Sequence, residues 1–276
     1  MAIVAIIPAR FGSTRLPGKP LSDIHGKPMI ERVHERVCRA RSVARVLVAT
    51  DDERIVAAVR AFGGEAVMTS ADHATGTDRL AEAVRQTDAT IVVNVQGDEP
   101  MLDPAGIDAA VAALVSDPSL PIATLSLPLT DVREMLAASV VKVVTDAHGD
   151  ALYFSRSPIP HARVDGGLLH DAAAAAVAQG LARKHVGLYV YRREALERFA
   201  RLPATPLERA EGLEQLRALQ HGMRIRVVAM EGRGGVAVDT PADLERVREL
   251  LAQELAPRDL KPHANEEAGC PPSTSS

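Results

Sequence analysis

Residues 3 to 21 read IVAIIPARFGSTRLPGKPL, and this stretch decides the fold. Ile3 to Ile7 is a short unbroken apolar run, as expected of a strand buried on both faces, and Pro8 stops it by removing a ladder donor. A loop follows in which Arg10, Arg15 and Lys19 supply fixed positive charge, while Gly12 and Gly18 permit a ligand to approach the backbone closely. A buried strand running straight into such a loop presents cations to phosphate. The loop is neither a GxxxxGK[ST] nor a GxGxxG motif, so the two commonest phosphate fingerprints do not account for it. A merely solvated basic loop is the competing reading.

Moving outward, strand-like and helix-like patterns alternate. Ile30, Val33 and Val37 are spaced for a helix face, with Pro28 in its first turn. Val46 to Thr50 reads as a buried strand, Asp51 or Asp52 caps a helix through Val56 and Val59, and Gly63-Gly64 ends it. Glu65 to Met68 is a further strand, Thr77 or Asp78 opens a helix through Leu80 and Val84, and Ile91 to Val95 is again continuous and apolar. Such repetition predicts an α/β fold with a mostly parallel, doubly wound sheet. Beyond it, Ile122–Leu127 and Val140–Thr145 read as strands, and Asp146 to Gly149 carries turn chemistry leading into a hairpin partner at Ala151–Phe154. Asp165 to Gly180 predicts a surface helix with little core, Val186–Tyr191 a strand, Glu208–Gln220 one helix, Ile225–Met230 a strand, and Pro241–Leu255 a closing helix with Thr240 as N-cap. Residues 1–256 are expected to form one α/β domain, and residues 257–276, rich in proline, serine and charge, a disordered tail.

Composition excludes several classes. With 46% hydrophobic and 25% charged residues over 276 positions, the chain reads as an ordinary globular protein. A net charge of -4 supplies no basic field for nucleic acid. No apolar run approaches the roughly 18 residues that span a membrane, and the start MAIVAIIPARF lacks a basic n-region, so a cytoplasmic location without membrane insertion is expected. Cys38 and Cys270 form no metal or disulfide framework, which suits a reducing compartment.

Further clusters carry possible chemistry. Gln96-Gly97-Asp98-Glu99-Pro100 follows the Ile91 strand, and in a doubly wound sheet the carboxyl ends of strands open onto the ligand crevice. Asp98 there suits Mg²⁺, which takes one or two carboxylates plus substrate phosphates, and Asp239 before the closing helix is a candidate second carboxylate. Each is otherwise an ordinary turn or cap residue. Ser70 to Arg79 is a polar loop entering a helix, with small residues and backbone donors suited to a base edge, or simply a capped connection. Arg156, His185 and Tyr189 lie near strand segments, and Glu208, Glu211 and Gln215 recur at helical spacing, either lining a site or forming a solvated face.

Taken together, IIPARFGSTRLPGKPL, SADHATGTDR, VVNVQGDEP, KVV with ALYFSRSPIP, KHVGLYVYR, PLERAEGLEQLR and VAVDTPADLERVR resemble the CMP-Kdo synthetases, the 3-deoxy-manno-octulosonate cytidylyltransferases, from about Ile3 to Leu251. The resemblance implies a nucleotidyltransferase of Rossmann type, with a smaller β-hairpin and helix portion used for sugar binding and dimerisation. It implies attack by the anomeric hydroxyl of Kdo on the α-phosphorus of CTP, releasing pyrophosphate and giving CMP-Kdo for lipopolysaccharide. On this chain it places Arg10, Lys19 and Arg15 on the triphosphate, and Ser70, His73, Thr75 and Gly76 toward cytosine. Gln96 falls beside ribose or sugar, and Asp98 and Asp239 on Mg²⁺; Lys19, Asp98 and Asp239 are the catalytic set. Arg156, His185, Tyr189, Glu211 and Gln215 surround the sugar acid. A homodimer is implied as well. Another sugar nucleotidyltransferase, such as a CMP-sialic acid synthetase, or a nucleotide-binding regulatory module remain the alternatives. Positioning and charge neutralisation suffice for such transfer without a covalent nucleophile.

Overall fold

The continuous apolar runs become strands buried on both faces. In the computed structural model, which describes residues 1–12, 16–73, 75–232 and 234–255, β1 spans Ile3–Ala9, with Ala5, Ile6 and Ile7 fully buried. A short ladder of β2 (Asp23–Ile24) and β3 (Lys27–Pro28) precedes β4 (Arg45–Thr50), β5 (Glu65–Met68) and β6 (Ile91–Asn94). Then come β7 (Ile122–Pro128), β8 (Lys142–Thr145), β9 (Ala151–Ser155), β10 (Arg183–Arg192) and β11 (Ile225–Ala229). The main sheet runs β11-β7-β10-β6-β1-β4-β5, and β8 with its partner β9 attaches through β10. Only β10 is antiparallel to its neighbours on that path, so the sheet is mostly parallel as expected.

Helices cover both faces. On one face α1 (Met29–Val37), α2 (Glu53–Ala61) and α4 (Pro104–Ser116) bury Val33, Ile55 and Ile107 against Ala5, Ile7 and Val93. On the other, α3 (Gly76–Val84), α7 (Arg193–Arg201) and α9 (Gln215–Gln220) bury Leu80, Phe199 and Leu216 against Val4, Ile6 and Val92. Successive residues of β1 thus point to opposite layers, and each layer removes apolar area from water. The chain leaves β1 for β4 and β5 on one side and returns as β6 on the other. That reversal puts the carboxyl ends of β1 and β6 at a switch point, where open α/β sheets bind ligands. The two ends are pressed together: a Cβ at Gly97 would lie 2.9 Å from the Pro8 carbonyl oxygen.

The remaining helices are α5 (Val132–Leu136), α6 (Leu169–Ala178), α8 (Pro206–Glu211) and α10 (Pro241–Leu255). The expected hairpin is present as β8 and β9, its turn closed by the Gly149 N–H on the Asp146 carbonyl. Asp52 caps α2, accepting from the Arg54 N–H at 2.9 Å, and Thr240 and Asp243 form a reciprocal cap on α10. Three expectations need correction. Thr75, not Thr77 or Asp78, is the N-cap of α3, because its hydroxyl and the Asp78 carboxylate form a capping box. Glu208–Gln220 is two helices, since Gly212 takes φ 61° and breaks the run between α8 and α9. The alanines of α6 are less superficial than expected: Ala172, Ala173 and Ala176 are buried, the last two in a small satellite core with Leu129 and Met135. Cys38 stands exposed at the end of α1; Cys270 and the expected tail lie outside the described residues.

Candidate active site

The switch point opens into a cleft of about 720 Å³. Its floor comes from Pro8, Ala9, Arg10 and Gly12 after β1 and from Gln96, Gly97 and Asp98 after β6. One wall is His73, Thr75, Gly76 and Arg79 at the start of α3, and the opposite wall is Arg209, Gly212, Leu213 and Glu214 at the α8–α9 break. Lys19, the first residue of a 3₁₀ turn (Lys19–Leu21), reaches in beside Asp239.

Lys19 is the centre of this arrangement. Its Nζ donates to Asp98 Oδ2 at 2.6 Å, to the Val238 carbonyl at 2.8 Å and to Asp239 Oδ1 at 3.2 Å. The Val238 N–H in turn donates to the Asp98 carbonyl at 2.9 Å, so three segments distant in sequence are tied at one point. A cation at the edge of a polar cleft can grip a polyphosphate, and carboxylates beside it act on one only through a divalent cation. Among the described residues no group of three or more His, Cys, Asp or Glu side chains is gathered for a metal. The pair Asp98 and Asp239 nevertheless converges on one cationic atom through hard oxygen donors, a donor set that fits Mg²⁺, which completes its shell with phosphate and water oxygens.

The loop before α3 is fixed from below. Glu82 accepts from the Ser70 N–H at 2.9 Å and pairs with His73 Nε2, which holds its carboxyl below the usual range. Arg79, only 4% exposed, donates to Thr69 Oγ1 at 2.5 Å and to Asp51 Oδ2 at 2.8 Å. Arg10, Lys19, His73, Thr75, Gly76, Gln96, Asp98 and Asp239 therefore share one cleft, while Ser70 sits behind its wall with its N–H already bonded. Arg15 lies outside the described residues.

The five residues assigned to the sugar acid do not converge in the same way. Arg156 spends its guanidinium on main-chain carbonyls, those of Glu211 at 2.7 Å, Ala138 at 3.0 Å and Gly212 at 3.4 Å. Glu211 accepts from Ser155 Oγ at 2.6 Å and the Arg156 N–H at 2.9 Å, so the two are each other's partners in holding the hairpin to α8. The buried Lys142 joins them, donating to the carbonyls of Ala137 at 2.9 Å and Val140 at 2.6 Å and to that of Arg156. Gln215 is 8% exposed and belongs to α9, not to the helix of Glu211, so the shared helix face expected for the pair does not exist. His185 packs edge-on to Phe154 and against Tyr189, and its Nε2 lies 2.9 Å from Thr124 Oγ1. Burial pushes its pKa down to about 3. It is therefore neutral near pH 7 and offers a hydrogen bond without a charge.

Two polar atoms on this side are buried without a hydrogen bond, Tyr189 Oη and Glu214 Oε1. Glu214 Oε2 accepts from Thr77 Oγ1 at 2.6 Å, Oε1 lies 3.5 Å from Arg217 Nη2, and burial pushes the carboxyl up. Buried polar atoms without a hydrogen bond are uncommon, and Glu214 borders the cleft. Glu214 is the site residue that sequence reading misses; the signal available was Gly212 two residues before it, a break that aims the next turn inward. Glu99, next to Asp98, is also unanticipated: burial and the Asp98 charge push its carboxyl up to about 7. It borders a second, more apolar cavity of about 370 Å³ lined by Leu102, Leu125, Lys184 and Met230 among others.

A family model described as Cytidylyltransferase matches residues 4–225. A 3-deoxy-manno-octulosonate cytidylyltransferase of Geobacter metallireducens is 56% identical over 92% of this chain and 99% of its own length, and one of Escherichia coli is 51% identical over 92% and 97%. Among solved structures, a CMP:2-keto-3-deoxy-manno-octonic acid synthetase complexed with CTP superposes with a TM-score of 0.84 at 47% identity, covering 92% of this chain and all of that one. A 4-diphosphocytidyl-2C-methyl-D-erythritol synthase of Anaerococcus prevotii, at 14% identity and a TM-score of 0.57 over 91% of this chain and 98% of its own, shares the fold alone. With a polar cleft at the switch point and this identity over nearly its whole length, the chain belongs to the 3-deoxy-manno-octulosonate cytidylyltransferase family.

Proposed function

We propose that the protein transfers CMP from CTP to Kdo, releasing pyrophosphate and forming CMP-Kdo for lipopolysaccharide. The observation that carries the chemistry is Lys19 Nζ held among Asp98, Asp239 and the Val238 carbonyl at the edge of the cleft. Arg10 and Lys19 grip the triphosphate, and His73, Thr75 and Gly76 face the base. Asp98 and Asp239 would hold Mg²⁺, which when bound neutralises phosphate charge and lowers the pKa of a coordinated hydroxyl. Lys19 meets the charge that develops on the leaving pyrophosphate, a stabilisation that acts in the transition state.

At the acceptor end, Gln96, Tyr189 Oη and Glu214 Oε1 offer hydrogen-bonding capacity that a polyhydroxylated sugar acid satisfies, the last two being buried and unbonded. His185 adds a neutral hydrogen-bonding group, while Arg156, Glu211 and Gln215 brace this wall. We place the enzyme in the cytoplasm as a homodimer formed through the hairpin and α6 portion. Leu152, Leu168 and Leu169 are left 62%, 77% and 55% exposed there, and among the described residues no helix is long and apolar enough to cross a membrane.

Pyrophosphate release measured with each of four NTPs, with and without Kdo and Mg²⁺, tests the assignment. Release that needs CTP, Kdo and metal together is the expected result. Turnover with a sialic acid in place of Kdo would make it a CMP-sialic acid synthetase, and no release in any combination would leave a regulatory nucleotide binder.

A further inference from the structure

We infer that Phe11, which the chemistry above does not use, is a positioning residue for the phosphate loop, clamped from outside the cleft by Arg54. The inference rests on the reading that Arg10 and Lys19 meet the triphosphate.

Phe11 sits between those two cations in sequence and at the mouth of the loop they flank. Its carbonyl accepts the Gly18 N–H at 3.2 Å, which pins one end of the loop to the other. One side of its ring lies against Gly18, where a Cβ would fall 3.1 Å from the ring Cζ and where φ is +68°. Glycine answers both demands, since it lacks the Cβ and tolerates the left-handed region. Arg54, on the first turn of α2, places its guanidinium carbon 3.3 Å from the ring centroid. That guanidinium is itself fixed by Asp52, whose carboxylate accepts from Nε at 2.9 Å and from Nη2 at 2.6 Å.

A chain of contacts therefore runs from Asp52 through Arg54 and Phe11 to Gly18, whose carbonyl accepts the Leu21 N–H at 2.8 Å and so starts the turn that carries Lys19. Gly18 lies beside the outer edge of the ring, and the guanidinium stands over its face. The clamp holds the loop ends before nucleotide arrives, so less conformational freedom is lost on binding. Its outer member, Arg54, is 61% exposed and touches neither Lys19 nor the carboxylates that Lys19 joins.

The test measures KM for CTP and for Kdo, kcat and Tm on Arg54→Ala, Arg54→Lys and Phe11→Leu. Arg54→Ala should raise KM for CTP about two- to five-fold, the factor an exposed cation–π contact supports, with KM for Kdo unchanged. Arg54→Lys should restore most of it. Phe11→Leu should raise KM for CTP at least as much, and adding Arg54→Ala to it should add nothing, since both act through one ring. Unchanged CTP kinetics in both single variants overturn the inference. So does an equal loss toward CTP and Kdo alongside a lowered Tm, which would make the ring a packing residue only. If Lys19→Ala also left CTP kinetics unchanged, the fault would lie with the phosphate-loop reading and not with the clamp alone.

Discussion

Lys19→Ala removes a cation to which Asp98, Asp239 and the Val238 carbonyl all bond. In the resting protein the charge-assisted bond to Asp98 contributes about 1.5–3 kcal/mol, and the longer one to Asp239, whose side chain is 44% exposed, contributes less through solvent screening. Their loss leaves two carboxylates facing the same volume, so Tm should fall and a higher Mg²⁺ concentration should recover part of it. Turnover should suffer more. Removing a preorganised donor from a developing charge costs about 10²–10³ in kcat, because the interaction strengthens as the leaving group separates. Steady-state pyrophosphate release at saturating CTP, Kdo and Mg²⁺ measures kcat, and the same assay at varied CTP gives KM. A kcat within about three-fold of the parent, with only KM for CTP raised, would refute the transition-state role and leave Lys19 as a residue that binds substrate and transition state alike.

Asp98→Asn should abolish most turnover while lowering Tm less than Lys19→Ala does, since the amide oxygen still accepts from Lys19; parent-like turnover at saturating Mg²⁺ would sink the metal role. Glu214→Gln should raise KM for Kdo well beyond KM for CTP, because it alters a buried oxygen on the acceptor side, and equal effects on both would move Glu214 out of the sugar subsite. His185 has a folded pKa of about 3 against an ordinary 6.5, so the unfolded chain binds its proton first as pH falls. Stability is full above about 6.5 and is lost toward 3, by up to about 1.4 kcal/mol per pH unit, and urea unfolding of His185→Asn between pH 4.5 and 7 should show a shallower slope than the parent. Identical slopes would mean the imidazole is already solvated.

The sheet was legible because its strands carry their own signal: Val46–Thr50, Glu65–Met68 and Ile91–Val95 are apolar runs between caps and turns, and each lies where expected to within a residue. Nothing in the sequence reading anticipates α4, whose residues PAGIDAAVAALVS are apolar around most of the helix and show no stripe. The gathering of Arg10, Lys19, Asp98 and Asp239 in one cleft was legible too, since glycine, lysine and aspartate at strand ends report a crevice. The acceptor end was not. Arg156 looks like a free cation in sequence, but its partners are carbonyls of residues 138, 211 and 212, and main-chain acceptors leave no mark on composition. Glu211 and Gln215 share a helical spacing that Gly212 cancels with a single φ value. His185 owes its neutrality to Phe154, Thr124 and Tyr189, which reach it from β9, β7 and its own strand, and that enclosure exists only after the sheet closes.

The knot at Lys19 joins partners 79 and 219 positions away along the chain. Closing loops of that length costs entropy before any contact repays it, so the knot is among the last features to form as the chain folds. During synthesis the N-terminal strands can pair while the segment bearing Asp239 is still inside the ribosome. A nascent chain that has laid down β1, β4, β5 and β6 then has Arg10 and Lys19 but only one of the two carboxylates. Competence therefore arrives in one step with the segment that leads into α10, and a chain halted before Val238 should hold much of its sheet and turn over no nucleotide.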